Sequence, residues 1–389
     1  MLRQLITTIV FTGLLSLHAV RCCAQVSNAP ASFRHPGLLH TQESLHFIRT
    51  QVAARQEPWF SAYQTFTNHA QSQAAWKLRG PFAVVSRDKP TLRFGDVEMV
   101  MDANAAYQNA LLWCLTDNPA HAWTAIRILN AWANTCTRIV GHDMQLAAGL
   151  NGFKLVNAAE LIRHTSTFWK PEEIATFERF LNTVVKPPIY DFATFANGNW
   201  DAACLKTLLA IGVFCEDRPL FERACIYYRS GSGNGRLTHY VINEAGQCQE
   251  SGRDQGHTQL GLGLLAEACE VAWNQGVDLY GENNNRLLKG FEYTARYNLG
   301  YDVPFVPCVD TTGRYRQTKI AADKRGELLS IYEMVVNHYC GRRNLQAPYT
   351  TDAAIHGRPE GPAHQCDHAG FGTLLFSQLR QLPQRKTQK

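Results

Sequence analysis

Outside its first two dozen residues the chain has no cysteines spaced C-x-x-C, so a thiolate zinc site has no support. It has no run of Lys and Arg either, which argues against nucleic acid or a membrane surface as its partner. The formal charge of +5 is mild for 389 residues and suits attraction to an acidic polymer without requiring one. Past the N-terminus no apolar stretch approaches the roughly 20 residues of a membrane span. Strand-like alternation is scarce, confined to Tyr240 to Ile242 and Val303 to Val309. No shift in composition marks a second domain, and nothing fixes an oligomeric state. With 45% hydrophobic and 18% charged residues, what is left is an ordinary globular chain with a sizeable core.

The first residues stand apart from that core. Met1, Leu2 and Arg3 give a positive start, Leu5 to Leu17 a short apolar run ending at His18, and Cys22-Cys23-Ala24 small residues for cleavage before Gln25. Residues 1–24 are expected to be a secretory signal peptide, and 25–389 a single exported domain, periplasmic or secreted. Val20-Arg21 is a poor lead-in for lipidation at Cys22. The remaining cysteines, from Cys114 to Cys366, are scattered through helical apolar patterns and read as buried small hydrophobes, with room for one bridge.

What the chain does have is helix after helix. Apolar residues recur at three- and four-residue steps from Leu45 to Phe66. The stretch from 76 to 100, with Pro81 and Pro90, reads as a loop. Helices resume over 102–116 and 119–137, divided by Asp117-Asn118-Pro119, a stop followed by a proline suited to a first turn. The same pairing recurs over 150–165 with 171–185, and over 200–214 with 219–230. Further helices are expected at 256–275, 281–299, 325–340 and 366–380. Helical hairpins with little sheet either stack as a solenoid or close into an all-α, single-domain α/α toroid, an incomplete or closed barrel of about six to seven hairpins, and the long loops favour the toroid. The long polar loops between them would gather on one face as a cleft.

Three clusters at helix junctions could carry chemistry. Asn197-Gly198-Asn199-Trp200-Asp201 opens an apolar helix, where its plain role is a cap. Glu250-Ser251-Gly252-Arg253-Asp254-Gln255-Gly256-His257 opens another, with Arg253 and His257 one turn apart on a shared face, as an anion site or as a simple ion pair. The third is rich in tyrosine: Tyr293 and Tyr297 one turn apart, at least one of them core, then Tyr315 in a loop between Arg314 and Arg316. Positive charge beside a loop phenol favours its ionised form.

Amide, guanidinium, imidazole and phenol together suit β-elimination on a uronate polymer. A base takes the C5 proton next to the carboxylate, and the C4 oxygen leaves. The carboxylate's charge opposes this, and donors aimed at it stabilise the enolate-like transition state with no metal or cofactor. Two other readings stand beside it. One is a glycoside hydrolase on a similar toroid, working through Asp201, Asp254 or Glu250. The other is a non-catalytic envelope glycan-binding protein using Trp200 and Trp273 as sugar platforms. His338, His356, His364 and His368 cluster late in the chain but lack the spacing of a zinc helix, so no metal site is expected.

In the order Gly149-Leu150-Asn151-Gly152, Asn197-Gly198-Asn199-Trp200, Glu250 to His257, and Glu292-Tyr293-Thr294-Ala295-Arg296-Tyr297-Asn298, the chain resembles the secreted bacterial alginate lyase superfamily over roughly residues 35 to 380. It is most similar to the branch that cleaves mannuronate- or glucuronate-containing polymers. The resemblance implies an α/α toroid with a groove for an anionic polysaccharide. Better-known members place a histidine straight after the motif asparagine and a tyrosine straight after the histidine of the arginine motif. This chain has Gly198 or Trp200, and Thr258, at those places. Carboxylate neutralisation then falls to Asn197 or Asn199 and to Arg253, with His257 as neutraliser or second base. The catalytic tyrosine must come from elsewhere, Tyr315 ahead of Tyr297. Asn151, Trp200, Gln255, Tyr293, Arg314 and Arg316 are the expected sugar contacts.

Overall fold

The computed structural model describes residues 32–362 and 367–377. The expected signal peptide and Cys366 lie outside them. After α1 (Gln42–Ala53) and α2 (Trp59–Asn68) comes a strand β1 (Val84–Ser86), then the hairpin of α3 (Asp96–Thr116) and α4 (Pro119–Thr135). Strand β2 (Arg138–Val140) pairs in parallel with β1. It leads into α5 (Met144–Thr165), α6 (Pro171–Phe180) and the short α7 (Lys186–Ile189). The second half holds α8 (Gly198–Phe214), α9 (Arg218–Ser230), α10 (Leu237–Tyr240), α11 (Gln255–Asn274) and α12 (Glu282–Asn298). A two-stranded hairpin follows, β3 (Cys308–Val309) against β4 (Arg316–Gln317), then α13 (Tyr332–Val336), α14 (Pro348–Gly357) and α15 (Gly372–Phe376).

The hydrophobic pattern sorts these helices into two layers. Helices α5, α8 and α11 are buried around nearly their whole circumference, whereas α4, α6 and α9 bury one stripe, such as Leu220, Phe221, Ala224, Cys225 and Tyr228 of α9. The former line up as an inner ring, α3 on α5 on α8 on α11, each covered by an outer helix. The ring is completed by α13 against α11, α15 against α13, and α15 against α2, where Phe371 meets Phe66 edge-on at 4.7 Å. This is an α/α toroid, with helical pairs α1–α2, α3–α4, α5–α6, α8–α9, α11–α12 and α13–α14.

The hairpin turns follow from local chemistry. Asn118 accepts the Ala120 N–H ahead of α4, whose first residue is Pro119, and Asp217 accepts the Leu220 N–H ahead of Pro219 in α9. One ion pair is sealed between two inner-ring helices, α8 and α11. Lys206 Nζ lies 2.6 Å from Glu267 Oε2, and both side chains are buried.

Three expectations need correcting. Only 332–336 of the expected 325–340 helix is α-helical, followed by a wider π turn over Asn337–Arg342. The chain before it is held as a loop because buried glutamines of α11 need partners. Gln255 donates to the Ala321 carbonyl and Gln259 to that of Glu327, while the Leu329 N–H donates to Gln259. The expected 281–299 helix starts raggedly, with Asn283, Asn284 and Asn285 at φ of 51°, 56° and 57°. Of 366–380, the described part is helical only over Gly372–Phe376. The cysteines from Cys114 to Cys340 are free thiols, most of them buried.

Candidate active site

An open groove of about 1110 Å³ runs where the N-termini of α8 and α11 meet the β3–β4 hairpin. Its floor carries Asn197 and Trp200 from α8 and Gly252 and Arg253 from the turn before α11. Its roof carries Arg314, Tyr315, Arg316 and Gln317, and His142, Phe195 and Ala196 form a wall. Helix N-termini face it, which favours an anionic ligand.

Beneath the floor a single buried carboxylate ties the two polar motifs together. Glu250 Oε1 accepts from Arg253 at 2.7 Å and from the Asn199 side chain at 3.0 Å, while Oε2 accepts the Asn199 backbone N–H at 3.2 Å and the Tyr240 hydroxyl at 3.3 Å. Burial pushes the Glu250 carboxyl up, and the charges of Arg253 and His257 oppose that rise. Asn197 is fixed separately, its side-chain oxygen accepting from Gln249 at 3.0 Å. Gly198 between the asparagines is required by space: a Cβ there would lie 2.2 Å from the Tyr240 ring.

Asp254 caps α11, accepting the His257 backbone N–H at 2.7 Å and lying 2.6 Å from His257 Nδ1. Its burial would raise it, but the hydrogen bonds and charge of His257, joined by Arg253, outweigh that and hold it at about 2. With Nδ1–H given to this carboxylate, His257 Nε2 is the acceptor, and it takes a hydrogen bond from Arg253 at 3.1 Å. Asp254 and Arg253 between them fix the orientation of the ring, with Nε2 on the arginine side.

The roof is braced just as locally. Asp310 accepts the backbone N–H of Tyr315 at 2.9 Å and those of Thr312 and the Asn234 side chain, which closes the turn carrying Tyr315. Burial works against these bonds, which still hold the Asp310 carboxyl below its usual range. The Tyr315 hydroxyl has no protein partner among the described residues, and the side chain is half-buried. Gly252 lets the roof come down, since a Cβ there would stand 2.1 Å from Gln317 Oε1 and 2.7 Å from the Lys319 carbonyl.

Not every residue singled out in the sequence lies in this groove. Asn197, Trp200, Arg253, Arg314, Tyr315 and Arg316 line it, and His257 adjoins Arg253. Asn199 sits under the floor on Glu250. Gln255 is buried, its amide engaged by the Ala321 carbonyl and by Asn298. Tyr293 donates its hydroxyl to the Pro304 carbonyl, and Tyr297 packs its ring under the Arg325 guanidinium at 4.0 Å. Asn151 is wholly buried within α5, with no hydrogen-bond partner for its amide. The acids open to a hydrolase are all committed. Asp201 accepts from the backbones of Ala193 and Gly235 and from Tyr227, Glu250 is sealed under the floor, and Asp254 is the helix cap. Reading the sequence missed His142, which stands edge-on to Trp200 at 5.8 Å, and the braces Asn234 and Tyr240. The turn Gly141-His142-Asp143 was the available signal for the first of these.

No curated protein sequence matches the chain. Among solved structures it is similar to alginate lyase A1-III bound to a tetrasaccharide, with a TM-score of 0.64 and 15% identity over 88% of this chain and 98% of that one. Alginate lyase A1-III from Sphingomonas species A1 superimposes with a TM-score of 0.63 at 14% identity, covering 88% of this chain and 97% of the other. An alginate lyase from Bacteroides ovatus does so with 0.56 at 13%, covering 82% and 95%. These likenesses establish the shared toroid. The profile of the family described as alginate lyase matches residues 85–302, more than half the chain and every floor residue of the groove, and by that match the chain belongs to the alginate lyase family.

Proposed function

We propose that this polysaccharide lyase cleaves an anionic uronate polymer in the groove under the β3–β4 hairpin, leaving 4,5-unsaturated uronate ends. The observation that carries the reading is the coupling of Arg253, half open to the groove, to His257 on one side and buried Glu250 on the other. Arg253 and the Asn197 amide neutralise the C6 carboxylate of the sugar whose C5 proton is removed. That charge neutralisation lowers the cost of the carbanion. His257 Nε2 or the ionised Tyr315 phenolate takes the C5 proton. The C5 electron pair forms the C4=C5 double bond as the C4–O4 bond breaks, and Tyr315 supplies the proton to O4. Arg314 and Arg316 on the roof and Trp200 on the floor hold neighbouring sugars, in keeping with the tetrasaccharide bound by the related A1-III enzyme.

Incubation with alginate, polymannuronate and glucuronan, following ultraviolet absorbance of the unsaturated product, tests this. Silence on all three refutes the substrate class, and new reducing ends without absorbance would point to hydrolysis. We further infer that the chain works outside the cytoplasm, on the strength of the apolar run from Leu5 to Leu17 behind Arg3. N-terminal sequencing of protein recovered from the periplasm or medium, starting at Gln25, is the expected result.

A further inference from the structure

A second cluster of chemistry-bearing side chains lies where the first described residues meet the ends of α5 and α8. Among the described residues, His35, Glu160 and His164 form the single group whose metal-type donor atoms all fall within 4.8 Å of one another. Glu160 Oε1 lies 2.7 Å from His35 Nδ1 and accepts the Gly37 N–H at 3.0 Å. Its other oxygen is buried, makes no hydrogen bond, and faces His164 Nε2 at 3.6 Å. That distance is long for a hydrogen bond, and two ligands about 2.0–2.1 Å from one tetrahedral ion stand about 3.3–3.4 Å apart.

We propose that His35, Glu160 and His164 bind a divalent transition metal of the zinc class, which staples the segment around His35 to α5. The outer shell fits. His35 Nε2 lies 2.7 Å from Glu216 Oε1, in the turn after α8, so a metal on Nδ1 would complete a carboxylate–histidine–metal relay. Two imidazoles and one carboxylate are borderline donors, suited to zinc rather than to calcium or magnesium. An ion can reach the site, because His164 also lines an open groove of about 900 Å³ together with Arg49, Asp117 and Arg163.

Protonation is compatible with loading. Burial, helped by the charges of His35 and Arg163, holds His164 down at about 3, leaving it a neutral ligand. Burial lowers His35 too, but its two carboxylate partners outweigh this and raise it. The rings, now face to face at 4.2 Å, splay as the 2.7 Å hydrogen bond opens to admit the ion.

The test is calorimetric titration of chelator-treated full chain with zinc chloride, alongside thermal melts. One ion per chain and a zinc-dependent rise in Tm that calcium and magnesium do not give are expected. His164→Ala should weaken zinc binding about 100-fold or more while leaving the metal-free Tm within a few degrees, and His35→Gln should do the same. No uptake by the natural chain overturns the site. Uptake unchanged in both variants overturns it too, because the ion then lies elsewhere.

Discussion

Glu250 and Arg253 form a buried-to-open pair, in which a carboxylate sealed from solvent holds at 2.7 Å a guanidinium that reaches into the groove. The same carboxylate also receives the side chain and the backbone of Asn199. It therefore sets the spacing of the α8 and α11 N-termini across the floor. Replacing it should act on the reaction through these partners.

Glu250→Gln keeps the shape but removes the charge that orients Arg253. A fall in kcat of about 100-fold is expected, comparable with losing one aimed donor. Weakening the hydrogen bonds that Arg253, Asn199 and Tyr240 make to this carboxylate should also lower stability by about 1–3 kcal/mol. Steady-state kinetics and denaturant melts check both.

Tyr315→Phe removes a hydroxyl that has no protein partner among the described residues, so the Tm should not move. If the phenol transfers the proton, kcat falls by about 100- to 10,000-fold while KM changes little. Full activity in this variant would hand both proton steps to His257.

Asp254 predicts a pH dependence of stability. Its carboxyl is held at about 2 in the fold, below its unfolded value, so the stabilisation is complete above pH 4 and is lost as pH falls toward 2. Asp254→Asn should melt earlier than the natural chain at pH 5, and the gap should close as both approach pH 2. Thermal melts across pH 2–6 measure it.

Gly252→Ala places a methyl where Gln317 and the Lys319 carbonyl already stand. Relief requires lifting the roof that carries Tyr315. A cost of about 1–3 kcal/mol from overpacking and a fall in kcat larger than the change in KM are expected. Kinetics of the variant on an oligouronate resolve the two.

The outer hairpins were legible because their turns are written locally, in Asp117-Asn118-Pro119 and in Asp217 ahead of Pro219. The loop over residues 321–331 was not, since its shape answers to Gln255 and Gln259 on a helix far back in the chain. The same limit applies to the site. The four-residue spacing of Arg253 and His257 announced a shared face, and Glu250 and Asp254 were readable as their orienting partners. Gln255, Tyr293 and Tyr297 carry equally suitable groups, but the fold engages them with Asn298, Pro304 and Arg325. A sequence shows which groups can bond, not which are already bonded.

Ring closure has a consequence for the order in which the molecule can become whole. Every residue lining the groove lies at or before Gln317, whereas the contact that shuts the toroid joins Phe371 to Phe66. A chain emerging N-terminus first thus holds its complete reaction chemistry before it holds its clasp. Cutting after Gly357 would spare every groove residue yet unfasten the ring at α2, so a protease acting there would silence the molecule by loosening it rather than by touching its chemistry.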